Sequence, residues 1–118
     1  MIKLFKKFTS LQGEGFFAGL PTQFIRFYGC NLECSYCDAK EANESNIFTE
    51  IDEKELAELI LAEETLQVTF TGGEPLLQES SLKDVISEII DKKSVSIETN
   101  GSLSIRKLRE AFPEIYFS

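Results

Sequence analysis

The sequence contains no histidine and only three cysteines, and this scarcity limits which metal centres it could hold. The cysteines fall in one short segment as Cys30, Cys34 and Cys37. Clustered thiolates select zinc, copper(I) or iron–sulfur clusters. A structural zinc site takes four protein ligands, so zinc would be one ligand short, and a disulfide would leave one cysteine over while closing a very small loop. An iron–sulfur cluster with one iron open to another ligand therefore fits best, the alternative being three buried cysteines that act as small hydrophobic side chains.

Long apolar runs and an excess of basic residues are also missing. No segment approaches the roughly 20 apolar residues of a membrane span, and no apolar signal region follows Met1, so we predict no membrane partner. Free thiols favour a reducing compartment, which predicts a cytoplasmic protein. The net charge of −8 disfavours nucleic acid as a partner. An anionic small substrate would need a local cation to overcome that charge.

The spacing of the cysteines, with Tyr36 just before the third, resembles the signature of the radical S-adenosylmethionine (SAM) superfamily. The resemblance implies that Cys30, Cys34 and Cys37 are both the metal ligands and the catalytic centre, holding a 4Fe-4S cluster, and that Tyr36 lies beside the adenine of SAM. In that superfamily the amino and carboxylate groups of SAM chelate the open iron. An electron passed through the cluster then cleaves SAM into methionine and a 5′-deoxyadenosyl radical.

Two features ahead of the cysteines narrow the resemblance. The segment Gln12-Gly13-Glu14-Gly15 is by itself only a glycine-bearing loop, and Arg26, in a predicted strand from Thr22 to Tyr28, could be an exposed strand charge. Beside the cysteine segment, both are similar to the 7-carboxy-7-deazaguanine synthases, radical SAM enzymes of queuosine and deazapurine biosynthesis. The resemblance implies that 6-carboxy-5,6,7,8-tetrahydropterin is the substrate, with the guanidinium of Arg26 on its carboxylate. It implies substrate contacts from Leu11, Gln12, Gly13, Arg26 and Thr71.

Two further glycine motifs follow predicted strands. Gly72-Gly73-Glu74-Pro75 comes after a strand at 67–71, and Glu98-Thr99-Asn100-Gly101 ends a strand at 94–98. Each could be a plain turn. Within the resemblance they are similar to the segments that hold SAM, which implies cofactor contacts from Gly73, Glu74, Glu98 and Asn100.

Three helices are predicted between the strands. Asp52, with Glu55 three residues later, begins the first, and Leu56, Leu59 and Ile60 form its apolar face. Ser81 is expected to cap the second, whose apolar positions recur with helical spacing, and Ser104 opens a short third. A last strand is expected at 115–117.

Alternating strands and helices predict an α/β fold. The resemblance implies a partial (βα) barrel of the radical SAM type, with about four parallel strands and three outer helices. We expect residues 1–118 to form one radical SAM core domain that is incomplete relative to the family. Either the sequence is a fragment, or dimerisation or a second chain completes the barrel. Among partners we expect a second copy of the chain in a homodimer.

The resemblance implies a radical SAM carbon–nitrogen lyase that takes electrons from a donor such as flavodoxin or ferredoxin. Family members also bind Mg²⁺ through a hydroxyl two residues after the third cysteine, but Ala39 stands there and offers no ligating oxygen, so we assign no magnesium ligand. Two alternatives stay open: a different radical SAM enzyme that activates a protein partner, and a cluster-binding fragment without catalysis.

Overall fold

The computed structural model describes residues 1–13, 19–29, 48–101 and 103–117. Its elements, in chain order, are β1 Ile2–Leu11, β2 Pro21–Phe27, β3 Thr49–Ile51, α1 Glu53–Ala62, β4 Gln67–Gly72, a 3-10 helix Pro75–Gln78, α2 Glu79–Ile89, β5 Ser94–Ile97, α3 Arg106–Ala111 and β6 Tyr116–Phe117. The strands form one sheet in the order β3-β1-β2-β4-β5-β6.

The strands β2, β4, β5 and β6 run parallel to one another. Helices connect them, as parallel strands require, because a parallel pair needs a long crossover. The predicted α/β fold with about four parallel strands and three helices is thus confirmed within the described residues. The open, mixed sheet is consistent with part of a barrel.

The strand β1 corrects one expectation from the sequence. The first strand predicted from the sequence begins at Thr22, but residues 2–11 already form β1, which pairs antiparallel with β2. The pairing register shifts between Leu4 and Lys6, so the side-chain alternation that would have revealed the strand is broken. On its other side β1 pairs with the short β3, which the sequence did not predict either.

The hydrophobic core lies between the sheet and the helices α1 and α2. Ile25, Phe27 and Phe70 from the central strands are fully buried there, as are the apolar positions of α2. The prediction for α1 is partly wrong: Leu59 is 46% exposed, and Ala57 takes its place on the buried face. Positions 56, 57 and 60 share one side of the helix, and residue 59 lies beyond its edge.

Two of the three predicted helix caps are confirmed and one is wrong. Asp52 caps α1 as predicted, because its carboxylate accepts the backbone N–H of Lys54 at 3.1 Å. Ser104 likewise accepts the N–H of Arg106 at the start of α3. The predicted Ser81 cap is wrong, since the 3-10 helix runs directly into α2 from Glu79. Within the described part of the chain, no helix is long and apolar enough to cross a membrane.

Gly72 permits an unusually close approach between the two central strands. Its φ is +127°, which disfavours other residues, and a Cβ placed there would overlap the carbonyl oxygen of Phe27 and lie 2.5 Å from its nitrogen. A side chain at position 72 would therefore push β4 away from β2 where both strands end.

We expect Gly72→Ala to lower the free energy of unfolding by about 3 kcal/mol or more, from backbone strain and steric overlap together. Gly101→Ala isolates the strain, because φ is +81° there but no atom lies within 4 Å of the added Cβ, and it should cost about 1 kcal/mol. Urea denaturation of the two variants measures both effects. Equal losses for the two would show that the approach of β2 to β4 is not the constraint.

Ser81 does not cap α2 but contacts α1 instead. Its hydroxyl donates to Oε2 of Glu53 at 2.6 Å, and this bond is the main reason that the pKa of the Glu53 carboxyl lies below its ordinary value of 4.5. A carboxyl pKa that falls on folding adds stability that is complete above about pH 4.5. The stability is lost as the pH falls through the lower, folded-state pKa.

Ser81→Ala should therefore destabilise the protein at pH 7 by at most about 1 kcal/mol, because the pair lies near the surface. The loss should shrink as the pH falls below about 4.5. Thermal melts of Ser81→Ala and of the neighbouring exposed variant Ser80→Ala across pH 3–7 measure it. A loss for Ser81→Ala that stays constant with pH would contradict the linkage to Glu53.

Candidate functional site

The carboxyl ends of the parallel strands meet at one edge of the sheet, where α/β folds place their sites. Gly29 follows β2, Gly73 and Glu74 follow β4, and Glu98 follows β5. Backbone hydrogen bonds tie these ends together: Glu74 donates its N–H to the carbonyl of Gly29 at 2.7 Å, and Glu98 donates to Phe70 at 2.9 Å. The two glycine motifs after β4 and β5 therefore lie beside the end of β2.

Glu74 stands at the centre of this edge and has no exposed surface. One oxygen of its carboxylate accepts the N–H of Leu76 at 2.8 Å. The other accepts the hydroxyl of Thr99 at 2.6 Å and the N–H of Asn100 at 2.7 Å. Its side chain thus joins the turn after β5 to the start of the 3-10 helix.

A cavity of about 370 Å³ opens on the sheet face opposite the helices. All five predicted substrate residues line it together with Glu98, which we had assigned to the cofactor. Phe8, Ser10 and Phe24, which sequence reasoning missed, complete the lining. Their signal was the pairing of β1 with β2, which places Phe8 opposite Phe24. The volume is within the range of small-molecule sites.

Arg26 gives this cavity a cation with unused hydrogen-bonding capacity. Its Nε is buried and has no hydrogen-bond partner among the described residues. The guanidinium lies 5.8 Å from the ring centre of Phe8, which stacks on Phe24 at 5.2 Å with an interplanar angle of 16°. A planar anionic ligand could meet an aromatic wall and a positive charge here.

Hydrogen bonds behind the cavity lining hold Gln12 in place. The buried amide of Gln12 donates to the hydroxyl of Thr69 at 3.3 Å, and Thr69 shares a 2.7 Å hydrogen bond with Ser96. The backbone of Gln12 is paired with Gly19 and Leu20 across the hairpin between β1 and β2. Gln12 is therefore fixed both by its backbone and by its side chain.

Thr71 and Glu98 form the wall farther along the strands. The hydroxyl of Thr71 donates to Oε1 of Glu98 at 3.3 Å. Thr71 on β4 pairs with Arg26 on β2, and Glu98 follows β5 on the other side of β4, so the cation and the carboxylate line one cavity from opposite sides of β4. Such an arrangement can bind a ligand that carries both an acid group and N–H donors.

The predicted cluster ligands Cys30, Cys34 and Cys37, together with Tyr36 and Ala39, lie outside the described residues. The residues on either side of that segment are close together, since the rings of Tyr28 and Phe48 meet edge to face at 4.6 Å. Across 1–13, 19–29, 48–101 and 103–117, no group of three acidic, cysteine or histidine side chains could hold a metal ion.

A larger cavity of about 560 Å³ lies apart from these residues, between the start of α2 and α3. Its lining mixes charges of both signs, Glu79 and Glu110 with Arg106 and Lys107, and includes none of the predicted site residues. Size alone does not identify a site, and the chemistry favours the smaller cavity.

Comparison with known proteins agrees with the resemblance seen in the sequence. A family model of the radical SAM superfamily matches residues 24–118. The chain is 46% identical over 105 residues to a 7-carboxy-7-deazaguanine synthase of Clostridium acetobutylicum, a match that covers 87% of this chain and 48% of that protein. It is 43% identical over 103 residues to the protein of the same name from Methanospirillum hungatei, covering 86% and 43%.

A solved structure agrees with the fold. The crystal structure of QueE from Escherichia coli matches with a TM-score of 0.79 and 26% sequence identity, and the match covers 98% of this chain and 58% of that one. The chain spans about half the length of the curated relatives it matches. The resemblance to these synthases is confirmed.

The hydrogen bonds that hold Gln12 through Thr69 and Ser96 can be tested by measuring stability. Thr69→Val removes the hydroxyl that both Gln12 and Ser96 contact, and we expect a loss of about 1–3 kcal/mol in the free energy of unfolding. Adding Ser96→Ala to it should cost about 0.5–1.5 kcal/mol less than Ser96→Ala costs alone, since the shared bond is already gone. Denaturant unfolding gives all three values, with exposed Thr49→Val as control. Strict additivity would contradict the coupling.

Proposed function

Because the chain belongs to the radical SAM superfamily, we propose that it forms the cluster-binding and substrate-binding part of a 7-carboxy-7-deazaguanine synthase, a carbon–nitrogen lyase. The relatives from Clostridium acetobutylicum and Methanospirillum hungatei carry that name and align with most of this chain. The proposed reaction removes a hydrogen atom from the pterin carbon that bears the carboxylate of 6-carboxy-5,6,7,8-tetrahydropterin. The ring then contracts, a hydrogen atom is returned to the rearranged radical, and loss of ammonia gives 7-carboxy-7-deazaguanine, so that the substrate loses only NH3 overall.

The observation that carries this proposal is the state of Arg26. Its buried Nε has no hydrogen-bond partner within the described part of the chain, and such burial is costly unless a ligand supplies the acceptor. The substrate carboxylate is such an acceptor, and the guanidinium can hold it in a fixed orientation. The five residues that the resemblance assigned to the substrate also line the same cavity.

The other residues of the cavity would orient the pterin ring. The stacked pair of Phe8 and Phe24 offers an aromatic edge, while Glu98, positioned by Thr71, offers acceptors for ring N–H groups. Gln12 is held in place by Thr69 and presents its amide to the same cavity. Together these contacts would fix the carbon beside the carboxylate in one place and exclude water from it.

The residues at the strand ends fit the proposed cofactor in the chemistry of their groups. Gly72, with its positive φ, lets the end of β4 lie close to the backbone of Phe27, and Gly73, Glu74 and Asn100 are held within one hydrogen-bonded unit. We propose that Gly73, Glu74, Glu98 and Asn100 form the SAM site, with Tyr36 near the adenine and Cys30, Cys34 and Cys37 holding a 4Fe-4S cluster. When bound, cluster and SAM would supply the radical that abstracts hydrogen.

Further elements of the proposal come from the family. The cluster requires a reductant, for which we propose flavodoxin or ferredoxin, and thiolate ligands suit a cytoplasmic protein. We also propose a homodimer. Magnesium stays unassigned, because Ala39 stands where the family supplies a hydroxyl.

Anaerobic reconstitution with iron and sulfide, followed by chromatography for 5′-deoxyadenosine, tests the function. The nucleoside should rise when carboxytetrahydropterin is added, and 7-carboxy-7-deazaguanine should appear. Arg26→Gln should raise the KM for the pterin at least about tenfold while leaving SAM affinity near that of the parent protein, since it removes one charge-assisted contact.

The matched control is Arg106→Gln, at an exposed helix position paired with Glu110. It should leave the KM unchanged. Pterin turnover that is indifferent to Arg26→Gln would overturn the substrate assignment. An assembled cluster with no SAM cleavage under any condition would favour the cluster-binding fragment, and cleavage that ignores the pterin would favour a different radical SAM reaction.

A further inference from the structure

Thr99 lies within the motif after β5, yet neither the sequence nor the proposed function assigns it a role. Its hydroxyl donates to Oε1 of Glu74 at 2.6 Å and accepts the N–H of Gly101 at 3.3 Å. The same carboxylate oxygen accepts the N–H of Asn100 at 2.7 Å. The side chains of Glu74 and Thr99 together therefore fix the backbone of residues 99–101.

Glu74 is poorly placed to bind a ligand through its own carboxylate. The residue has no exposed surface, and three donors already engage its two oxygens. A bound cation would have to displace at least one of these bonds and enter a closed space. The carboxylate therefore acts on a ligand through the backbone that it holds.

That backbone reaches all three motifs of the site. The N–H of Glu74 donates to the carbonyl of Gly29, the residue just before Cys30, at 2.7 Å. Its side chain holds Asn100 on one side and Leu76 on the other. Displacement of the Glu74 carboxylate would therefore shift the backbone both at Gly29 and in the turn after β5.

We infer that Thr99 is a positioning residue for the SAM site, whose hydroxyl fixes the Glu74 carboxylate and thereby the backbone of Asn100. The inference rests on the proposed function, because it takes that turn as a wall of the cofactor site. It assigns Glu74 an indirect role in place of the direct cofactor contact that the resemblance implies. A short hydroxyl–carboxylate bond is among the stronger hydrogen bonds in proteins, so its loss should be measurable.

Thr99→Val keeps the shape and β-branching of the side chain but removes the hydroxyl, whereas Thr99→Ser keeps the hydroxyl. In the anaerobically reconstituted protein, we expect Thr99→Val to raise the Kd for SAM roughly tenfold, with iron content per chain unchanged. Thr99→Ser should restore the Kd to within about threefold of the parent value. The Kd is measured by equilibrium dialysis, and electron paramagnetic resonance of the reduced cluster reports SAM binding independently.

Thr49→Val, the same substitution on the exposed strand β3, is the matched control and should not change the Kd. A parent-like Kd for Thr99→Val would overturn the inference, as would equal weakening by Thr99→Val and Thr99→Ser. If Glu74 contacts SAM directly, Glu74→Gln should abolish binding while Thr99→Val leaves it intact, which also contradicts the positioning role.

Hydrogen–deuterium exchange before cluster loading separates this inference from the proposed function. Deuterium uptake in residues 98–101 should be faster in Thr99→Val than in Thr99→Ser or the parent protein, because the turn loses its anchor. If the parent protein binds no SAM, the proposed function fails, and the exchange result alone decides whether Thr99 positions the turn. Equal uptake in all three proteins would overturn it.

Discussion

A buried carboxylate must find hydrogen-bond donors, and the site edge of this protein depends on how Glu74 finds them. Charge removed from water is expensive unless donors replace the lost hydration. Glu74 draws its donors from the turn after β5 and from the start of the 3-10 helix, and its backbone binds the end of β2. Satisfying one buried group thus brings three strand ends into a single arrangement.

Gly72 makes that arrangement possible one step earlier along β4. The absent side chain lets the strand end lie directly against Phe27, and the positive φ turns the chain toward Glu74. A larger residue would separate β2 from β4 before Glu74 could reach Gly29. Both residues therefore hold the strand ends together: Gly72 avoids a steric clash, and Glu74 supplies hydrogen bonds.

The two faces of the sheet divide stability from binding. Apolar side chains of β2, β4 and β5 point toward the helices and form the core. The alternate positions face the other side of the sheet. There Arg26 and Thr71 line the cavity, and Thr69 and Ser96 are hydrogen-bonded to each other. Since successive side chains of a strand alternate, a single register fixes both the core and the polar cavity.

The sequence predicted the elements of the fold better than their boundaries and contacts. Helical spacing located α1 and α2, but whether Leu59 or Ala57 is buried depends on the angle at which α1 lies on the sheet, which spacing does not determine. The strand β1 escaped prediction because a register shift breaks its alternation. The Ser81 hydroxyl suited a cap equally well, and only the position of α1 gives it Glu53 as a partner.

For the site, motif resemblance identified residues that the structure brings together, but it did not describe how they interact. Leu11, Gln12, Gly13, Arg26 and Thr71 are far apart in sequence, yet they line one cavity because β1, β2 and β4 are adjacent. Phe8 and Phe24 carry no motif, so only strand pairing could reveal them. The role of Thr99 depends on a hydrogen bond between residues 25 positions apart, which no local pattern encodes.

The position of Glu98 links the two halves of the proposed site. It lines the cavity with Arg26 and Thr71, yet it directly precedes Thr99 and Asn100, which Glu74 holds. A ligand that binds Glu98 therefore contacts the same short segment, residues 98–100, that forms one wall of the proposed cofactor site. Substrate and cofactor affinities should be coupled in such an arrangement, since each ligand can stabilise the conformation of residues 98–100 that the other requires. The coupling would need no movement of the sheet, because the segment lies at its edge.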